Sequence, residues 1–86
     1  MRVRELTEIQ REDVAIYYRR TYMAKAIIEI PTLDMEIPIS FTIETGPLGD
    51  KHLYLDPFKS DEYPVVPIKK ALIEYISTMD TEGKLP

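Results

Sequence analysis

The sequence predicts an α+β fold. It is a two-layer sandwich, a three-stranded antiparallel meander covered on one face by an N-terminal and a C-terminal helix, in the order α-β-β-β-α. Three observations carry this expectation. Met35, Ile37, Ile39, Phe41 and Ile43 alternate with Glu36, Pro38, Ser40, Thr42 and Glu44, the period of two that puts one flank of a strand on a core and the other in water. Tyr22, Ala24, Ala26, Ile28 and Ile30 alternate in the same way with Met23, Lys25, Ile27 and Glu29. Val65, Ile68, Leu72, Tyr75 or Ile76, and Met79 recur at steps of three and four, the stripe of a helix that covers a sheet.

The N-terminal helix is expected over Thr7 to about Arg20. Thr7 and Gln10 have the spacing of a capping box, and Ile9, Ile16 and Tyr17 share one helical side. A shorter helix from near Gln10 would place Glu12 and Asp13 at the positive end of the dipole. Pro31-Thr32-Leu33-Asp34 separates the first two strands, and Gly46-Pro47-Leu48-Gly49-Asp50 forms a turn before a brief third strand, Lys51 to Leu55. Because proline cannot donate to a ladder, that short strand should end before it reaches Pro38, leaving part of its neighbour's edge open. Asp56 to Pro64 reads as a loop, and Pro67 as the first residue of a helix running to about Met79.

Eighty-six residues make one domain, expected to span 1–86 with 1–6 and 81–86 frayed. A chain this short buries a modest share of its surface, which suggests a homodimer. There is no cysteine, which rules out disulfides, thiolate-held zinc and thiol catalysis. No apolar run approaches the roughly 20 residues that span a bilayer, and no apolar leader opens the chain; the expectation is a soluble cytoplasmic protein without membrane contact.

No motif specifies a reaction. Three glycines cannot form a phosphate-binding loop, no serine has a Gly-x-Ser-x-Gly context, and His52 is the single histidine. A metal site would have to be built mainly from carboxylates, and none has the spacing of an ion-binding loop. The expectation is therefore a protein that is not an enzyme and needs neither cofactor nor metal. A subunit lending residues to another enzyme's site is a further reading.

What stands out is tyrosine and arginine. All five arginines fall within the first twenty residues, and Tyr17, Tyr18, Arg19, Arg20 and Tyr22 crowd into one short stretch. That composition suits an interaction hot spot or a stacking platform for bases. The candidate binding residues are Tyr18, Arg19, Arg20, Tyr22, Lys25, Lys69 and Lys70. The first functional reading is a dimeric adaptor that binds another protein through this Tyr/Arg surface or by adding a strand at the open edge near Pro38.

The second reading is RNA or DNA binding. The order helix-strand-strand-strand-helix resembles the double-stranded RNA-binding domain, and Lys69-Lys70-Ala71 near the start of the last helix is similar to the lysines that family sets against phosphates. The resemblance implies a duplex-RNA ligand. It lies in topology, since the helix opens Val65-Val66-Pro67-Ile68 and the net charge is −4.

Overall fold

The computed structural model describes residues 1–12 and 16–86. Four strands, β1 (Arg2–Arg11), β2 (Arg19–Glu29), β3 (Asp34–Thr45) and β4 (Lys51–Leu55), precede one helix, α1 (Val65–Thr81). The strands form an antiparallel sheet in the order β1-β2-β3-β4. The architecture is thus β-β-β-β-α, and it corrects the expected three-stranded meander with two helices. Residues 7–11, assigned to an N-terminal helix, lie in β1, and Arg19 and Arg20 open β2. Residues 13–15 of that expected helix lie outside the described residues. Nor are the ends loose, because β1 pairs with β2 from Arg2 onward and the Tyr22 hydroxyl donates to the Pro86 carbonyl at 3.0 Å.

The reason for the difference is physical. β1 carries two bulges. Arg4 is extra between the pairs Val3↔Ile28 and Glu5↔Ile27, and between Thr7↔Lys25 and Gln10↔Met23 β1 sets Glu8 and Ile9 against Ala24 alone. Each bulge adds a residue to the twofold alternation. The core-side residues Val3, Leu6 and Ile9 therefore recur every three positions, a spacing that a helix also produces. Glu8 takes φ 51° at the second bulge, the left-handed region that side chains other than glycine seldom enter.

β2 and β3 pair without a break from Arg19↔Glu44 to Glu29↔Asp34. Their alternating apolar residues face α1, and Tyr22 stacks on Phe41 with ring centroids 5.1 Å apart. α1 buries Ile68, Leu72 and Ile76, one residue per turn, against this face. Pro67 is tolerated as the third helical residue because first-turn N–H groups have no intrahelical partner. Phe58, Tyr63 and Leu85 fill in around the helix. No described helix is long and apolar enough to cross a membrane.

Candidate interaction surface

Strand alternation decides where the Tyr/Arg stretch goes. Arg19 and Arg20 are neighbours, so they point to opposite faces of the sheet. On the open face, Arg19 Nε donates to Glu44 Oε1 at 2.9 Å, and its guanidinium lies 5.9 Å from the Tyr18 ring centre. On the helix side, Arg20 grips Asp80 through two bonds of 3.0 and 3.2 Å and donates to the Tyr22 hydroxyl at 3.0 Å. Lys51 adds a bond to Asp80 Oδ2 at 3.2 Å. Burial pushes the Asp80 carboxyl up, but the Arg20 and Lys51 contacts outweigh it and hold the group below the usual carboxylate range. The Asp80 bond raises the Arg20 pKa above its ordinary value. This cluster clasps the last turn of α1 to the sheet.

The other expected binding residues are dispersed. Tyr22 is fully buried in the core, so its ring has no area left for a ligand. Lys25 lies on the open face between Glu8 and Glu36, at 2.9 and 3.2 Å, and bonds to Glu8 and then Glu36 raise its pKa. Lys69 and Lys70 sit on the exposed side of α1, away from the sheet's open face. Arg19, Arg20 and Lys25 each already hold a carboxylate, which leaves little net charge for phosphate. The double-stranded RNA-binding resemblance also loses its footing, because the N-terminal helix it requires is replaced by β1.

The sheet end beside Tyr18 carries residues that the sequence pattern does not single out. Tyr17 is 98% exposed and Leu48 95% exposed. Tyr17 meets Tyr18 edge to face, with centroids 5.8 Å apart. The Thr45 N–H donates to the Tyr18 carbonyl at 2.8 Å, tying the segment before β2 to the β3–β4 turn. A shallow depression of about 490 Å³ lies there, lined by Tyr17, Tyr18, Thr45, Gly46 and Pro47. The turn is closed by the Gly46 N–H to the Asp50 carbonyl and by Gly49 at φ 84°, which thrusts Leu48 outward. A leucine at the tip of a glycine-bounded turn, where polar residues are the rule, is the signal that points to it.

The open edge is also present. β4 pairs only with Phe41 to Thr45, and the Asp56 N–H reaches the Ser40 carbonyl at 2.9 Å. In a strand the N–H and C=O of alternate residues point the same way. Ser40, Pro38 and Glu36 therefore aim their backbone groups at this side, and Pro38 contributes no donor. Among the described residues no trio of histidine, cysteine or carboxylate side chains could hold a metal. His52 meets only Asp50, in an exposed pair that lowers the Asp50 pKa.

A family model matches residues 1–81, every strand and the helix. The chain belongs to the BB_0187 family. No curated protein and no solved structure matches it. The family match ends where α1 ends, so the bulged β1 and the clasp at Asp80 both fall within the family's extent.

Proposed function

We propose that this chain, as a member of its family, is a non-catalytic protein-interaction module that docks its partner on the sheet end formed by Tyr17, Tyr18 and Arg19 with Pro47 and Leu48. The carrying observation is the near-complete exposure of Tyr17 and Leu48 side by side on two tethered turns. Large apolar side chains held in the open beside an arginine have the composition of interface hot spots. Strand addition along β3 is the weaker form of the same reading, because Pro38 withholds a hydrogen bond from the added strand. Nucleic-acid binding is weaker again, with three of its proposed cations paired.

The test is affinity capture from native extract by wild type and by a Tyr17→Ala/Leu48→Ser double variant. A discrete protein should be retained near equimolar amounts by wild type, and its retention should fall at least tenfold in the variant, a loss of about 1.4 kcal/mol. Recovery of nucleic acid alone, released by moderate salt, would overturn the reading.

A further inference from the structure

The sheet face turned away from α1 is uncovered. Register places Thr7, Lys25 and Pro38 in one row across it, Gln10, Met23 and Ser40 in the next, and Thr21, Thr42 and Tyr54 in a third. The second and third rows are uncharged, and the Thr21 and Thr42 hydroxyls are bonded at 3.2 Å. Met23 is 61% and Tyr54 54% exposed within this band. Charge gathers at its ends, with Glu5 and Glu36 flanking Ile27 on one side and Arg19 with Glu44 on the other. A neutral centre carrying methionine and tyrosine inside a charged rim is the layout of a protein interface.

The edges, by contrast, resist association. The free edge of β1 is broken by two bulges, and Pro38 interrupts the open stretch of β3, both devices that blunt strand pairing. Area then indicates the occupant. Four strands about 4.8 Å apart, over roughly ten residues at about 3.3 Å each, project to about 600 Å². A pleated surface has more accessible area than its projection, which brings the face near the roughly 800 Å² per partner of a standard interface. Charge placement agrees. A two-fold axis parallel to the strands, between β2 and β3, lays β2 of one copy over β3 of the other and sets Arg19 of each copy opposite Glu44 of the other. At the far end Glu29 and Asp34 already hold Arg2 and Arg4, which limits repulsion.

We infer that two copies of this chain pack sheet against sheet through Thr21, Met23, Ser40, Thr42 and Tyr54. The inference is separate from the docking end at Tyr17 and Leu48, which stays free in such a pair. The chain has no cysteine, so single introduced thiols report proximity without background. Met23→Cys should oxidise readily to a linked dimer, whereas Tyr17→Cys at the sheet end and Glu74→Cys on the exposed side of α1 should not. Light scattering of wild type at up to about 200 µM should approach twice the 10.0 kDa chain mass. Met23→Lys, whose fold circular dichroism would verify, should weaken association at least tenfold. A constant mass near 10.0 kDa, or equal cross-linking at all three positions, would overturn the inference.

Discussion

Asp80 shows how one side chain can hold two layers together. Its carboxylate receives Arg20 from β2 and Lys51 from β4, and Arg20 in turn reaches the hydroxyl of buried Tyr22. Hydrogen bonds to charged groups contribute about 1.5–3 kcal/mol each, so Asp80→Asn should lower unfolding stability by roughly that amount at neutral pH. The acid dependence has a definite sign. The Asp80 pKa is lower in the fold than in the unfolded chain, so its contribution is complete above the ordinary carboxylate pKa of about 3.9 and fades as pH falls through the folded value. Urea midpoints of wild type and Asp80→Asn should therefore converge below about pH 4. A gap that stayed constant from neutral to strongly acid conditions would show that the pair is not the source.

The strands differ in how openly the sequence displays them. β3 keeps a strict alternation with an ion pair or hydroxyl at most outward positions, and β2 mirrors it residue for residue, so both are legible from composition alone. β4 and α1 are legible for the same reason, a clean period bounded by glycine or proline. β1 is not, because its bulges displace the alternation at Arg4 and again at Glu8 and Ile9; pairing to β2, which a single segment cannot reveal, is what stabilises it. The site divides in the same way. Tyr18 and Arg19 are visible as a cluster, but the inward turn of Arg20 and Tyr22 follows from strand parity, and Leu48 joins the cluster only through the tie between Thr45 and Tyr18. Bulge chemistry gives the element its test. Left-handed backbone costs a side chain roughly 1–2 kcal/mol, which Glu8→Gly relieves while losing the exposed contact to Lys25. Glu8→Gly should thus lie within about 0.5 kcal/mol of wild type, whereas β-branched Glu8→Val should cost about 1–2 kcal/mol, both read from chemical denaturation. Equal losses in the two variants would argue against the bulge geometry.

The whole molecule rests on one helix. An 86-residue chain has a net stability of about 4–13 kcal/mol, and removing a buried leucine costs about 2–5 kcal/mol. Leu72, fully buried at the centre of the α1 stripe, is the place where that loss should be felt most, and Leu72→Ala should shift the urea midpoint downward by a large fraction of the total. Because α1 follows all four strands, it is also the last element to leave the ribosome. Until it emerges, the nascent chain carries a greasy sheet with nothing laid over it. Synthesis stalled before Thr81 therefore yields a sticky polypeptide, a substrate for chaperones and a seed for precipitation.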